Sequence, residues 1–178
     1  MGTYNHLKDT GKIEPDDIIV EIDGDDWLLH PFVLQYLNQV YQNKDIWMTY
    51  GQYLAYPTGE YGGHIHLSLD DYVDQHNIYR YAEFPYSHLK TYKAWLFDKV
   101  PREYLIDPRT EKYWKTTADF AMCMPMVEMA GKERIIRFDQ PMYVYNTSDD
   151  LGSESKTNLA AQKEAERLIR QFKPLEKL

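Results

Sequence analysis

The sequence has little cysteine, no long apolar run and no excess of positive charge, and each shortage excludes a class of protein. Cys123 is the only cysteine in 178 residues, so a disulfide within the chain is excluded. The longest uninterrupted apolar run covers residues 120–127, whereas a membrane-spanning helix needs roughly 20 residues. With 20 Lys and Arg against 28 Asp and Glu, the formal net charge is −8. This balance argues against sequence-independent binding of nucleic acid, which requires a basic surface.

The ends of the chain predict its location and domain organisation. Residues 1–6 contain no secretion signal, and His6 stands where a myristoylation motif needs Ser or Thr. We therefore expect a cytoplasmic protein. The length suits one domain, and the hydrophobic content of 43% supplies a core. We expect that domain at residues 1–151, followed by a polar linker and a charged surface helix at residues 152–178.

The order of the apolar patterns predicts an α/β protein. Residues 18–22 form a β-branched run that is typical of a strand buried on both faces of a sheet. Helical spacing follows Pro31, and Pro125 should kink or split an apolar helix predicted at residues 117–130. The other predicted elements are strands at 46–55, 134–138 and 142–145, helices at 89–100 and 159–172, and a loop at 56–77 with a short hairpin at 64–69.

Three carboxylates follow the first predicted strand. Asp23 and Asp25 flank Gly24, and Asp26 comes next. In open α/β sheets, ligands bind beyond the carboxyl ends of the strands. Two carboxylates one residue apart can face one Mg²⁺ or Mn²⁺ whose other ligands are phosphate oxygens. Asp and Gly are also ordinary turn residues, so a solvated turn is an equal alternative on these residues alone.

Four segments resemble motifs of the GT-A-fold glycosyltransferases, in particular the family 2-like group. Residues 17–28 (DIIVEIDGDDWL) resemble the metal-binding DXD segment of that family. Residues 87–93 (SHLKTYK) are similar to a helix start, residues 117–120 and 125–131 to the helix with the catalytic carboxylate, and residues 143–146 to a strand closing the catalytic half. The segments stand in the family's order over residues 16–151. The resemblance therefore implies a three-layer αβα sandwich with a mostly parallel central sheet.

The same resemblance implies an inverting, metal-dependent glycosyltransferase of the hexosyltransferase type. Such an enzyme moves a sugar from a nucleotide-diphosphate sugar, here a UDP-sugar, to an acceptor hydroxyl. Mn²⁺ or Mg²⁺ stabilises the departing diphosphate as a Lewis acid. By motif, Asp23 contacts the metal or the nucleotide ribose, and Asp25 binds the metal. Asp119 is the general base that takes the acceptor's proton. Family members usually have Glu before this base, whereas this chain has Ala118, and the first turn of a helix favours an acid for structural reasons as well.

Four further residues are implied near the donor: Asp26, Trp27, His88 and Lys90. Asp26 is the alternative ligand for the metal or the donor. His88 and Lys90 would contact phosphate or sugar hydroxyls, and the structural alternative is a packed histidine beside a lysine with a buried stem. Trp27 either forms a wall of the donor site or fills the core.

The histidines suggest a separate and weaker hypothesis. His64 and His66 alternate along a possible strand, so both rings can face one side. Together with His76 they would form a transition-metal site, for which a solvated hairpin is the main alternative.

The resemblance begins late in the usual family pattern, because only 22 residues precede Asp23. GT-A enzymes usually open with a longer nucleotide-binding portion. The chain is then a piece of a larger protein, a minimal variant, or a subunit whose sheet is completed by a second copy or a partner domain. This shortness and Ala118 favour a rival hypothesis, a partial or inactive form. It would be a non-catalytic GT-A-like binding or assembly module that needs a partner to complete the donor site.

Overall fold

Two four-stranded sheets and five helices organise the residues that the computed structural model describes, which are 11–62, 70–84, 86–148 and 159–178. The strands are β1 (Ile18–Val20), β2 (Trp27–Leu28), β3 (Met48–Gly51), β4 (Tyr53–Tyr56), β5 (Tyr61–Gly62), β6 (Ser87–Lys93), β7 (Ile106–Asp107), β8 (Lys112–Tyr113), β9 (Ile135–Arg137) and β10 (Tyr143–Asn146). The helices are α1 (Val33–Val40), α2 (Asp71–His76), α3 (Ala94–Asp98), α4 (Ala118–Ala130) and α5 (Leu159–Ile169), with 3₁₀ turns at Tyr79–Tyr81, Arg102–Leu105 and Lys132–Arg134.

The first sheet has the strand order β1-β6-β3-β9 and the second the order β2-β10-β4-β5, while β7 and β8 form a separate hairpin. In these sheets β3 pairs with β9 and β4 with β10 in parallel. All other pairs of the described strands are antiparallel. The predicted α/β class is confirmed, but the described sheets are mostly antiparallel instead of mostly parallel. Parallel neighbours need a long crossover connection, and α4 lies in the connection that joins each of the two parallel pairs.

The single strand predicted at residues 46–55 is two strands in different sheets. Gln52 separates β3 from β4, and there the chain passes from the first sheet into the second. The side chain of Gln52 is buried, and its amide donates to the backbone carbonyl of Asp139 at 3.2 Å. The apolar pattern continues through this point, so the sequence gives no sign of the change of sheet.

The helix predicted at residues 89–100 is wrong over its first half. Residues Ser87–Lys93 form β6, which lies between β1 and β3, and only Ala94–Asp98 are helical. All positions of β6 except His88 are buried. A strand covered on both faces has no alternation of polar and apolar residues, and its apolar spacing can imitate a helix.

The prediction of a strand buried on both faces at residues 18–22 also needs correction. Among the described strands, β1 pairs only with β6, so it is an edge of the first sheet, and its three residues are half-buried. The β-branched run does form a strand there. Its burial is lower than predicted because only one neighbouring strand covers it.

The helix α4 runs through the main apolar cluster of the molecule. Every residue from Phe120 to Ala130 is buried, and Pro125 lies inside the helix without splitting it. The C-terminal helix α5 places Ala165 and Ile169 in the same cluster. The other residues of this predicted surface helix are half-buried or exposed, so one face of α5 packs on the common core.

Several other predictions agree with the structure. Helix α1 follows Pro31, and β9 and β10 form where apolar runs predict strands. The structure adds α2 within the predicted loop at 56–77, where the Asp70 side chain caps the helix by accepting from two backbone N–H groups. The predicted hairpin at 64–69 lies outside the described residues. No described helix is long and apolar enough to cross a membrane.

Candidate functional site

A cleft of about 740 Å³ opens where β1 ends beside β6 and the first turn of α4. Its titratable lining residues are Glu21, Asp23, His88, Lys90, Tyr92, Lys115, Asp119 and Tyr145. They come from the two sheets, from the loop before α4 and from α4 itself. Three carboxylic acids, two lysines and one histidine therefore converge in one depression.

The cleft brings together the four segments on which the family resemblance rests. Asp23 belongs to the first, His88 and Lys90 to the second, Asp119 to the third and Tyr145 to the fourth. The antiparallel pairing of β1 with β6 places Glu21 opposite Lys90, and the backbone N–H of Glu21 donates to the Lys90 carbonyl at 3.1 Å. Residues distant in sequence are thus neighbours because of strand register.

Lys90 and Asp119 form an ion pair on the floor of the cleft. The Lys90 Nζ donates to Oδ2 of Asp119 at 2.7 Å. The Lys90 side chain is only 3% exposed, whereas that of Asp119 is 50% exposed. Burial works to raise the pKa of Asp119, but the nearby Lys90 ammonium and its hydrogen bond outweigh it and hold the pKa below its usual value. Asp119 is therefore an ionised carboxylate at neutral pH.

Glu21 is a second acid on the same floor, and the sequence analysis did not select it. The Tyr92 hydroxyl donates to Oε1 of Glu21 at 3.0 Å. Burial raises the pKa of Glu21, and the positive charge of Lys90 opposes this effect. The sequence does not indicate this role of Glu21, because residues 89–93 are predicted as helix. As part of the strand β6, these residues bring Lys90 and Tyr92 next to Glu21.

Two hydrogen bonds with β10 hold the turn that follows β1. The Tyr143 hydroxyl accepts a hydrogen bond from the Asp23 backbone N–H at 3.0 Å. The Asp26 carboxylate accepts from the Asn146 backbone N–H at 2.8 Å. Asp26 therefore ties the turn to the second sheet and is not among the residues that line the cleft.

The remaining residues of the turn face outward. Asp23 and Asp25 are both exposed, and of the two only Asp23 lines the cleft. Burial raises the pKa of Asp23, and the positive charge of Lys90 lowers it. The negative charges of the nearby carboxylates raise it further; these are Asp26, Asp119 and Asp25. Trp27 is 42% exposed and packs edge-on against Tyr56 at a centroid distance of 5.3 Å. Trp27 therefore fills no core.

The turn after β1 fits a cation site in part. Asp23 and Asp25 offer the hard oxygen ligands that Mn²⁺ and Mg²⁺ prefer. The like charges around Asp23 raise its pKa, and a cation would relieve that repulsion. Among the described residues, however, no group of three or more His, Cys, Asp or Glu side chains is placed to hold a metal ion. Oxygen atoms of a bound substrate would have to complete the coordination.

His88 lies in an aromatic wall. Its ring stacks on Tyr143 at a centroid distance of 4.7 Å and on Tyr145 at 5.7 Å, with Tyr53 edge-on at 6.0 Å. Burial, together with the positive charge of Lys90, lowers the pKa of His88 to about 4. The imidazole is neutral at physiological pH, so it can exchange hydrogen bonds with a ligand but brings no charge.

A second pocket of about 530 Å³ adjoins the cleft and shares His88, Lys90 and Asp119 with it. Helix α5 reaches both, since Gln162 lines each of them and Glu166 lines the second pocket. The sequence predicts α5 as a surface helix that follows the domain at residues 1–151. Its contribution depends on tertiary packing, which no local pattern in the sequence indicates.

The histidine hypothesis receives no support in the described part of the chain. His64 and His66 lie outside the described residues. On α2, the His76 ring nitrogen Nδ1 lies 2.9 Å from the Tyr72 carbonyl oxygen, and the ring packs on Tyr72. His76 is not among the residues that line the cleft.

Comparison with known proteins leaves the site to be judged on its geometry. No protein-family model matches this chain, and no curated protein is significantly similar to it.

Proposed function

We propose that this protein is a metal-dependent glycosyltransferase that moves a sugar from a nucleotide-diphosphate sugar to an acceptor hydroxyl. One observation supports the proposal above all. Asp23, His88, Lys90 and Asp119, selected by resemblance in three separate segments, line one cleft. Residues chosen for unrelated reasons would be scattered over the surface. A GT-A-like architecture is part of the proposal, and the crossover connections through α4 are compatible with it.

Asp119 has the properties that this reaction asks of a general base. It is ionised, half of its side chain is exposed, and it lies in the cleft with Asp23. A carboxylate in this position can accept the proton of an acceptor hydroxyl while that oxygen attacks the anomeric carbon of the donor. Attack from the face opposite the leaving diphosphate would invert the configuration at that carbon.

Asp23 and Asp25 would hold the Mn²⁺ or Mg²⁺. When bound, that ion supplies positive charge for the phosphates of the leaving group. The aromatic wall of His88, Tyr143 and Tyr145 offers ring faces and, in His88, a neutral polar group to the donor or the acceptor. Lys115 also lines the cleft and provides a further positive charge for a phosphate.

Binding is tested by calorimetry with UDP-sugars in the presence of Mn²⁺. We expect the wild type to bind, Asp23→Ala and Asp25→Ala to lose binding, and Asp16→Ala to bind as the wild type does. Asp16 is a matched control because it is an exposed aspartate before β1 and does not line the cleft. Absence of binding by the wild type, or equal binding by Asp25→Ala, contradicts the proposal.

Turnover is tested by release of the nucleoside diphosphate. We expect Asp119→Asn to lower kcat by about 10²- to 10⁴-fold, the usual contribution of general base catalysis. The variant keeps the shape of the side chain and removes its basicity. Equal turnover by the variant and the wild type would show that Asp119 is not the base.

A non-catalytic binding module is the second candidate, and the Lys90–Asp119 ion pair favours it. A carboxylate that is already neutralised by a buried ammonium is a weaker base than a free one. Under this hypothesis the folded wild type binds a ligand in the cleft but releases no nucleoside diphosphate from any UDP-sugar. Measured turnover that depends on Asp119 excludes the module.

A further inference from the structure

Lys90 is the least exposed charged side chain in the cleft, and its ammonium has a partner. Its side chain is 3% exposed, and Nζ lies 2.7 Å from Oδ2 of Asp119. To reach a phosphate, the ammonium would have to leave this carboxylate. Separating the pair is costly because it leaves the buried ammonium of Lys90 unpaired. The geometry is therefore unlike that of an exposed lysine that reaches out to bind an anion.

We propose that Lys90 is a positioning residue that holds one oxygen of Asp119 and keeps the carboxylate oriented toward the cleft. This inference rests on the proposed function in one respect: orienting Asp119 affects turnover only if Asp119 accepts the proton of an acceptor hydroxyl. It reassigns Lys90, because the family resemblance alone implies a donor contact. The exposed half of the Asp119 side chain remains available to the acceptor.

The fold fixes Lys90 for this task. It lies on β6, which has a strand on each side, and its carbonyl accepts the backbone N–H of Glu21 at 3.1 Å. The Glu21 carboxyl lies on the same floor and is itself held by the Tyr92 hydroxyl at 3.0 Å. The negative charges of Asp119 and Glu21 therefore both act on the Lys90 ammonium.

The charged and titratable groups around Asp119 come from the elements that line the two pockets. They include Lys90 and His88 on β6, Glu21 and Asp23 at the end of β1, Cys123 on α4, Lys115 in the loop before α4, Tyr145 on β10 and Glu166 on α5. Of these, only Lys90 has a hydrogen bond to the Asp119 carboxylate among the described side chains. Its removal should therefore change the titration of Asp119 more than any other single substitution.

The decisive experiment is a carboxyl ¹³C NMR titration of Asp119 in the full chain, assigned with Asp119→Asn. We expect the Lys90→Met variant to raise the titration midpoint of Asp119 by about 1 to 3 pH units. Lys90→Arg should keep the low midpoint, since it retains the charge. Lys93→Met is the matched control, because Lys93 is a buried lysine of the same strand whose Nζ donates to the Lys44 carbonyl. An unchanged midpoint in Lys90→Met overturns the proposal.

A second measurement covers the case in which Lys90→Met does not fold. In Asp119→Asn, a substitution at a half-exposed side chain, we expect the titration midpoint of the Lys90 ammonium to fall by at least about one pH unit. A Lys90 midpoint equal to that of the wild type would show that the two groups are not coupled, and the proposal would be wrong.

Measurements of turnover distinguish the role proposed for Lys90 from the function proposed for the protein. If the protein transfers sugar, Lys90→Met should lower kcat by about 10- to 100-fold with little change in the KM for the donor, because Asp119 loses the contact that orients its carboxylate, although its basicity rises. A raised donor KM with unchanged kcat would mean that Lys90 binds the donor, which contradicts a positioning role. If the wild type shows no turnover, the proposed function fails, while the two titrations still decide whether Lys90 sets the state of Asp119.

Discussion

The surroundings of His88 keep its imidazole neutral, and the resulting pH dependence of stability can be measured. Burial and the charge of Lys90 lower its pKa to about 4, whereas an unfolded histidine titrates near 6.5. Between these values the unfolded chain binds more protons, so the free energy of unfolding should fall as the pH decreases from about 6.5 to 4. The expected loss is on the order of 2–3 kcal/mol.

This prediction is checked by urea unfolding of wild type and His88→Phe at pH 7 and pH 4.5. The phenyl ring keeps the stacking on Tyr143 but does not titrate. Glu21 and Asp23 titrate in both proteins, so their effects cancel to first order in the difference. The wild type should lose stability relative to the variant at the lower pH. A His88 ring that titrates near 6.5 by NMR would contradict the prediction.

Tyr143 should stabilise the turn that bears Asp23. Tyr143→Phe removes the hydroxyl that accepts the Asp23 backbone N–H at 3.0 Å. We expect a loss of about 1 kcal/mol in the free energy of unfolding, the usual net value of one hydrogen bond, and weaker binding of a metal-dependent ligand. Tyr145→Phe is the control, since it keeps the same ring contacts with His88. Equal binding by Tyr143→Phe and wild type would show that the turn needs no support from β10.

At the scale of single residues, the motifs select four residues that line one cleft, Asp23, His88, Lys90 and Asp119, and three that do not, Asp25, Asp26 and Trp27. The partners that determine their charge were not found. Glu21 lies in the strand interior by sequence, and only the register between β1 and β6 shows that it faces Lys90. Asp26 was expected near the ligand, yet it accepts a backbone N–H from β10. A motif selects residue types, while the pairing of distant strands decides which groups they meet.

The element whose assignment failed, β6, is held in the first sheet by a buried chain of hydroxyl groups. The Thr91 hydroxyl lies 2.6 Å from that of Thr49 on β3 and 2.8 Å from that of Tyr41 just after α1. Both threonines are fully buried. Thr91 is thus the shared partner that joins β6 to β3 and to the end of α1, which no pattern in residues 89–100 indicates.

Thr91→Val should therefore destabilise the protein more than its small change in shape suggests. The substitution leaves the hydroxyls of Thr49 and Tyr41 without their common partner, and an unsatisfied buried polar group costs about 1–3 kcal/mol. Urea unfolding measures the loss, with an unchanged m-value as the sign that the fold is kept. Thr110→Val is the control, because Thr110 is exposed. A loss below about 0.5 kcal/mol would mean that the hydroxyl chain contributes little.

Elements with a strong local signal were predicted and those defined by tertiary pairing were not. The apolar run of α4 and its stop at Gly131 are visible in the sequence, and the helix ends there. The strand β6 is buried on both faces, so it lost the alternation that identifies strands. The mixed sheet order depends on which strands pair across the molecule. That information is not local, and periodicity does not contain it.

At the scale of the whole molecule, a fully buried ion pair connects α4 to the C-terminal segment. Arg80 and Glu128 are paired at 2.6 Å with no exposure of either side chain. Arg80 also donates to the Ile169 carbonyl at 2.7 Å, and Glu128 accepts the Leu175 backbone N–H at 3.1 Å. Because α5 contributes Gln162 to the cleft, this pair also fixes one wall of the site.

The pair should behave as a unit in a double-mutant cycle. Arg80→Met leaves Glu128 buried and unpaired, and we expect a loss of about 3–5 kcal/mol in the free energy of unfolding. The double variant Arg80→Met with Glu128→Met should be more stable than the sum of the single losses implies, by a coupling energy of about 1–3 kcal/mol, because no lone charge remains. Recovery should be incomplete, since the Ile169 carbonyl and Leu175 N–H lose their partners. Arg167→Met, which breaks an exposed pair with Glu164, is the control and should change the unfolding midpoint little. Additive losses in the cycle would mean that the two charges act independently, and the C-terminal helix would then depend on apolar packing alone.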